Sequence, residues 1–260
     1  MSRKSILSYA RIGKVNKRWF RIFWNHFWDV IFPGQCPVCK GEAFKDGLHY
    51  TCLPCLDKVA WVRGTRCRIC GIPMSGIDFR GLNCANCRDD GKWFFEEGRC
   101  LFLLDSLGKG IIHEMKYQGV KDVVGDLPAM IERVPGFHEY LEDSLLVPVP
   151  LHSKRLRERR FNQSLWIANE MSRVVDSCKV VDCLKRIRNT PTQTSLDKPE
   201  RSRNVEGAFC LNKKVKFLDP NKRLIIVDDV FTTGATLNAC AEVLVKADFS
   251  RISVATLGHG

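Results

Sequence analysis

Two sets of residues in this 260-residue chain have the types and spacing to do chemistry. The first is Leu224-Ile225-Ile226-Val227-Asp228-Asp229-Val230-Phe231-Thr232-Thr233-Gly234-Ala235-Thr236. An apolar run delivers two adjacent carboxylates to the carboxyl edge of a buried strand. A turn of small hydroxyl residues and glycine follows, and then a helix begins. Two neighbouring carboxylates can accept hydrogen bonds from both hydroxyls of a diol, or hold Mg²⁺ through water. The Thr hydroxyls and the free N–H groups of the helix start form a cradle for one phosphate, and Gly234 lets the backbone approach it closely. A diol beside a phosphate describes a ribose 5-phosphate. A helix cap would account for one acid but not for two, because side-by-side carboxylates repel unless something compensates them.

The second set is cysteine. The first eight of thirteen fall as four identical pairs, Cys36/Cys39, Cys52/Cys55, Cys67/Cys70 and Cys84/Cys87, separated by 12, 11 and 13 residues. A two-residue gap points both thiolates of a tight turn at one ion, and two such turns complete a tetrahedral shell. Four turns make two four-cysteine sites, for which zinc is favoured over iron. The short, similar intervals favour two consecutive zinc ribbons over an interleaved arrangement that joins the first pair to the third. With every position filled by protein, both metals are expected to be structural. Cys100, Cys178, Cys183, Cys210 and Cys240 lack ligand spacing and read as small apolar core residues.

The elements that must position these groups follow from hydrophobic pattern. Leu224 to Val227 reads as a fully buried parallel strand, Ala235 to Ala247 as a helix and Ile252 to Leu257 as a last strand. Further strands are expected at Cys100 to Leu104, at Leu145 to Pro150 and around Val180, Val181 and Leu184. Helices are expected around Ile111, Ile112 and Met115 and from Val123 to Ile131. A further helix face is read from Phe161, Leu165, Ala168, Ser172 and Val175. Alternating strands and helices predict an α/β domain with a mainly parallel sheet. The predicted divisions are residues 1–32, a basic arm and an aromatic helix; residues 33–92, a double zinc ribbon; and residues 93–260, the α/β domain.

Composition narrows the class. Hydrophobic residues make up 45% and charged residues 27%, which suits a globular protein and not a disordered one. No stretch approaches the roughly 20 apolar residues of a membrane span. A secretory signal is not expected, because Trp19 to Phe32 is broken by Arg21, Asn25, His26 and Asp29. The net charge is +12, and residues 1–100 hold 17 Lys/Arg against 9 Asp/Glu. A basic first third attracts polyanions, whether nucleic acid, an anionic membrane face or phosphorylated small molecules. Phe20, Phe23, Trp24, Phe27 and Ile31 follow helical spacing; packing on the protein itself is favoured for this stripe over a place at a membrane surface.

Asp228 to Thr236 resembles the phosphoribosyl pyrophosphate (PRPP) motif of type I phosphoribosyltransferases. The wider pattern resembles the ComF/GntX family, which is linked to bacterial competence and DNA transformation. Supporting segments are Lys116-Tyr117-Gln118-Gly119, Val147-Pro148-Val149-Pro150-Leu151-His152, Arg159-Arg160-Phe161-Asn162-Gln163, and Arg188 through Gln193-Thr194 to Arg201, Asn204 and Val205. The resemblance covers about residues 28–260, including the cysteine pairs. Arg160 stands where the family often has glycine.

The resemblance implies a type I phosphoribosyltransferase-like sheet with helices on both faces, preceded by the zinc-ribbon domain. It implies that Asp228 and Asp229 serve the ribose hydroxyls and the Mg²⁺ shell as the catalytic pair, and that Thr232, Thr233, Gly234, Ala235 and Thr236 hold the 5-phosphate. Pro150, Leu151, His152 and Ser153 would form the pyrophosphate loop. Beside that loop lies the basic segment Lys154, Arg155, Arg157, Arg159 and Arg160, from which Arg155 and Arg159 are assigned to pyrophosphate. Residues 186–203 would form a mobile lid carrying Arg188, Gln193 and Arg201. The implied cofactors are two structural zinc ions, and Mg²⁺ with PRPP. The implied partners are PRPP, single-stranded DNA and a competence helicase-type protein, in the cytoplasm or at the inner face of the membrane. Three functions are open: a phosphoribosyltransferase of open acceptor, a non-catalytic single-stranded-DNA-binding protein that uses the PRPP site as a switch, or, less favoured, a membrane-docked partner module.

Overall fold

The backbone is built around the strand that carries the two carboxylates. In a computed structural model, residues 36, 38–41, 48–74, 83–89, 92–118, 122–190, 204–213, 215 and 218–260 are described. The basic arm, the aromatic stripe from Phe20 to Ile31, and Gln193 and Arg201 of the expected lid lie outside these residues.

Two short helices, α1 (Leu53–Leu56) and α2 (Ala85–Asp89), start just after Cys52 and Cys84 and carry Cys55 and Cys87, the second cysteines of those pairs. Then come β1 (Glu97–Leu103), α3 (Ser106–His113) and one π-helical turn (Glu114–Gln118), followed by α4 (Asp122–Gly125), α5 (Leu127–Glu132) and α6 (Phe137–Leu141). The chain continues through β2 (Ser144–Pro148), α7 (Ser153–Arg159), α8 (Gln163–Val174), β3 (Lys179–Val180), β4 (Leu184–Arg186) and β5 (Phe209–Leu211). It ends with β6 (Arg223–Phe231), α9 (Ala235–Val245) and β7 (Ile252–His259).

Five strands form one parallel sheet in the order β1-β7-β6-β2-β3, and β4 pairs antiparallel with β5. The central strands are buried on both faces, which is why they read as unbroken apolar runs. Strand alternation divides their side chains between two cores. Ile225 and Val227 join Leu146, Ile167 and Met171 on one face; Leu224 and Ile226 join Leu237, Cys240 and Leu244 on the other. From β2 the chain moves outward to β3, whereas from β6 it moves the opposite way to β7. The connections therefore diverge between β2 and β6, and open α/β sheets bind ligands outside the carboxyl ends of such a pair of strands.

The structure differs from the pattern reading in several places; the strand expected around Val180, Val181 and Leu184 is two, β3 and β4, in separate sheets. Strand β6 runs on to Phe231, so Asp228 and Asp229 lie within it and not at its end. The buried face of α8 is Gln163, Ser164, Ile167, Ala168 and Met171; Leu165 and Ser172 are only partly covered. A search for apolar spacing passed over that face because its first turn is polar. Helix α6 was not read at all, since Phe137, Tyr140 and Leu141 span barely one turn.

The cysteine segments do not stand apart from the sheet: residues 35–260 form one compact unit. Val62 N–H donates to Leu101 O at 2.9 Å and Leu103 N–H to Ala60 O at 2.9 Å, so the link between the ribbons covers the edge of β1. Of the five unpaired cysteines, Cys100, Cys178, Cys183 and Cys240 are buried in the cores and Cys210 is half-buried.

Candidate functional site

The two cysteine repeats fold alike. In the first, Lys40 N–H donates to Cys36 O and Cys36 N–H to Gly41 O; in the second, Gly71 N–H donates to Cys67 O and Cys67 N–H to Ile72 O. Residues 40 and 71 both take left-handed backbone, at φ 62° and 74°. Each second pair opens a helical turn, with Leu56 N–H donating to Cys52 O and Arg88 N–H to Cys84 O. The structure gathers Cys36, Cys39, Cys52 and Cys55 in one cluster and Cys67, Cys70, Cys84 and Cys87 in another, with the sulfurs of each within 4.8 Å of one another. This is the consecutive arrangement. Tetrahedral zinc with Zn–S bonds of about 2.3 Å places sulfurs about 3.8 Å apart. The sulfurs of Cys39 and Cys52 lie 3.5 Å apart and those of Cys70 and Cys84 3.8 Å, far beyond a disulfide bond. In the second cluster, hydrogen bonding from Cys70 pulls the Cys67 thiol down while Cys67 pushes Cys87 up, so the thiols compete for a single charge. A dication at the centre would relieve that competition, and the donor set fits zinc in both clusters.

The carboxylates of β6 face a cavity of about 470 Å³ at the carboxyl end of the sheet, where the connections leaving β2 and β6 diverge. Asp229, only 5% exposed, is 3.0 Å from Lys116 Nζ and accepts from Gln163 Nε2 at 3.4 Å. Asp228 accepts from Ser164 Oγ at 2.8 Å and from the Asp229 N–H at 2.9 Å. Burial, and then the neighbouring charge of Asp229, push the Asp228 carboxyl up to about 7. The polar first turn of α8 thus serves the carboxylates. Asn162 Oδ1 caps that helix by accepting from Ser164 N–H at 3.1 Å, and Asn162 Nδ2 donates to Val149 O at 3.0 Å, which fixes the helix against the loop after β2.

The turn after β6 ends at Gly234, φ 75°, which caps α9. A Cβ here would fall 2.6 Å from Phe231 Cζ and 2.8 Å from Trp93 Cζ3, so glycine is required by both conformation and space. Trp93 is itself held by its Nε1, which donates to Cys87 O at 3.0 Å. The second cysteine cluster therefore buttresses the glycine turn through one indole ring. Asn238 on α9 reinforces the join, accepting from Phe94 N–H at 2.8 Å and donating to Lys92 O at 3.1 Å.

Of the residues singled out from sequence, Asp228, Asp229, Thr232, Gly234, Ala235, Thr236, Leu151, Arg155 and Arg159 line the cavity. Thr233 does not line it; its Oγ1 accepts from Ala235 N–H at 3.4 Å and shapes the turn. Pro150, His152 and Ser153 also lie outside the lining, and His152 Nδ1 caps α7 by accepting from Lys154 N–H. Arg188 donates to Glu206 O, away from the cavity. Within the basic segment, Lys154, Arg157 and Arg160 are exposed, and only Arg155 and Arg159 turn inward. Arg160 takes φ 66° at the end of α7, a left-handed position that explains why glycine suits it.

Sequence reasoning gave no role to Lys109, His113, Lys116, Gln163 and Ser164 and placed Arg186 only at the start of the expected lid; all six line the cavity. Lys116 and Gln163 lay within the quoted segments, and that was the available signal. Arg155 donates to Thr190 O at 2.9 Å and Arg186 to Thr190 Oγ1, so one threonine gathers two guanidiniums at the rim. Burial, and then the charge of Arg155, pull the Arg186 guanidinium below its ordinary value, which marks a place short of negative charge.

Fold and clusters together define a class: a double zinc ribbon joined to a phosphoribosyltransferase-type domain. The double zinc ribbon domain matches residues 27–88, and the phosphoribosyl transferase domain matches residues 162–258. The chain is 34% identical over 238 residues to the DNA utilization protein YhgH of Salmonella typhi, covering 86% of this chain and 96% of that one. It is 27% identical over 230 residues to competence protein F of Haemophilus influenzae, covering 86% and 96%. With competence protein ComFC of Bacillus subtilis the figures are 24% over 208 residues, covering 75% and 78%. The chain belongs to the ComF family. Among the described residues no helix is long and apolar enough to cross a membrane.

Proposed function

We propose that the cavity at the carboxyl ends of β2 and β6 binds PRPP with Mg²⁺, and that the chain is a phosphoribosyltransferase acting in DNA uptake. The observation that carries this reading is the pair Asp228–Asp229, held by Lys116, Gln163 and Ser164 where the strand connections diverge and facing the glycine turn that opens α9. In this reading the two carboxylates accept the ribose 2- and 3-hydroxyls, and Thr232, Gly234, Ala235 and Thr236 surround the 5-phosphate. Arg155, Arg159 and Arg186 face the pyrophosphate, where guanidiniums favour phosphate oxygens. Lys116 exchanges Asp229 for the ligand as the site fills.

Asp228 and Asp229 are the residues that would hold Mg²⁺ through water, and the ion would neutralise charge on the leaving group. The reaction is displacement: a bond forms from an acceptor to C1 of the ribose as the bond to pyrophosphate breaks. Ligand-bound residues 186–203, with Arg188, Gln193 and Arg201, are proposed to close over the sugar and exclude water. The role in DNA uptake is drawn from the names of the competence and DNA utilization relatives. Single-stranded DNA and a competence helicase-type protein are the partners proposed on that ground.

Pyrophosphate release from PRPP, followed with ammonia and a panel of bases and nucleosides, tests the catalytic half. Release that depends on one acceptor and disappears in Asp228→Asn is expected. PRPP binding with no release for any acceptor would leave the site as a PRPP-responsive switch.

A further inference from the structure

The sheet carries a second charged pocket, at its amino-terminal end. Arg66 and Arg68 of the second ribbon, Arg99 of β1, Arg223 at the start of β6 and Arg251 just before β7 converge on a cavity of about 520 Å³. These five arginines come from segments far apart in sequence, so their meeting is a product of the fold. The cavity described above opens at the carboxyl ends of the same strands.

Tyr140, at the end of α6, organises the arginines. It is 4% exposed, and its hydroxyl lies 2.8 Å from Val254 O and 3.1 Å from Glu97 O. The guanidinium carbons of Arg99 and Arg223 each stand 4.5 Å from the ring centroid. Arg223 also donates to Tyr140 O at 2.6 Å, and Arg99 donates to Gly136 O at 2.5 Å and to Glu97 Oε1 at 3.0 Å. Two of the five guanidiniums are therefore fixed in place before any ligand arrives, which lowers the ordering cost of binding. Arg66 is different: half-buried, its guanidinium forms no hydrogen bond or ion pair with any described residue.

Three acids also border the cavity. Glu97 is engaged by Arg99, while Glu96 and Glu139 are exposed to solvent, so the interior remains cationic. Among the described residues the uncharged lining is Gly136, Ser253 and Tyr140 itself, which offers no apolar wall for a nucleobase. Recognition here stops at the anion.

We infer that this pocket is a second phosphoryl-anion site, opposite the carboxylate cavity and independent of it. The group it takes is a phosphate or pyrophosphate, either free or carried on the backbone of a nucleic-acid strand. Guanidiniums fixed in a fork are suited to both.

Arginine modification by phenylglyoxal, mapped by peptide mass spectrometry on the full chain, tests this by location. Two probes are used separately: inorganic pyrophosphate and a 20-nucleotide oligothymidylate. Arg66, Arg68 and Arg251 are expected to be modified about tenfold more slowly with one or both probes. Protection by pyrophosphate alone identifies a free anion, and protection by the oligonucleotide alone identifies a strand. The protection of Arg251 is expected to vanish in the Arg66→Gln/Arg68→Gln variant, checked for folding by its zinc content, and to survive in Asp229→Ala. Survival in Asp229→Ala separates this site from the PRPP reading, which fails or stands on other measurements. No protection by either probe, or Arg251 protection unchanged in the double variant, would overturn the inference.

Discussion

The two zinc ribbons share one backbone pattern and differ in what they are wired to. Cys36, Cys52 and Cys55 form a small cluster of their own with Val38, and Cys39 is exposed. The rest of that ribbon joins the sheet domain by Leu48, Leu56 and Val59, which pack in one core with Leu101, Phe102 and Ile111, and by the buried carboxylate of Asp126, which accepts from the His49, Tyr50 and Thr51 N–H groups at 2.5, 3.2 and 2.7 Å. In the second ribbon the cysteines themselves are part of a sheet core: Cys67, Cys70 and Cys87 pack in one cluster with Phe95, Leu224, Ile226 and Leu237. Its knuckle sits so close to β1 that a Cβ on Gly98 would fall 2.1 Å from Ile69 O. Trp93 then carries its position to the glycine turn. A repeat at the level of metal ligation has thus been put to two uses: the first set of cysteines stands apart from the core its neighbours join, and the second is a structural wall of the candidate site.

The largest difference is expected on removing one ligand from each ribbon. Cys70→Ser should lose about one zinc per chain and lower Tm by ~15 °C or more, because metal binding and core packing fail together. Cys39→Ser should also lose about one zinc but lower Tm by only ~5 °C. Metal analysis with calorimetric melting measures both, and equal losses would erase the distinction. Next in size is Trp93→Ala. It should weaken PRPP binding by about tenfold to a hundredfold while zinc content stays at about two per chain, because the turn at Gly234 loses its support.

A smaller effect separates the site from the ribbons by pH. Asp228 holds its proton up to about pH 7 in the native chain and only to the ordinary carboxyl range when unfolded. Its contribution to stability is therefore complete below the unfolded value and is lost as pH rises through about 7. Ligand binding has the opposite sign, since ribose hydroxyls need the charged acceptor. PRPP affinity should rise about tenfold from pH 6 to pH 8, and Asp228→Asn should flatten that rise, as followed by calorimetric titration. The smallest effect compares the matched knuckle positions. Lys40 holds left-handed backbone at φ 62° where the second ribbon uses Gly71. Lys40→Gly should stabilise the first ribbon by about 1 kcal/mol, read as slower zinc loss to a chelator.

Much of the sheet was legible because its central strands are buried on both faces, so apolar runs such as Leu224 to Val227 have only one good interpretation. The cysteine clusters were legible because ligation fixes spacing within a turn. What escaped were polar residues on buried faces. Gln163 and Ser164 break the apolar period of α8 for the same reason that they matter: they bond the carboxylates. Lys116 stands on a π-helical turn, whose side-chain directions do not follow the usual helical period. Trp93 and Tyr140 act on residues distant in sequence, at Gly234, Val254 and Arg223, and such pairs exist only once the chain is folded.

The central claim is that the pair on β6 receives the sugar of PRPP. Calorimetric titration of PRPP with Mg²⁺ into the wild-type chain and into Asp229→Ala, both checked for two zinc ions, tests it most directly. Binding of one PRPP per wild-type chain, weakened at least about a hundredfold in the variant, is expected. Equal affinity in the two proteins would contradict the assignment.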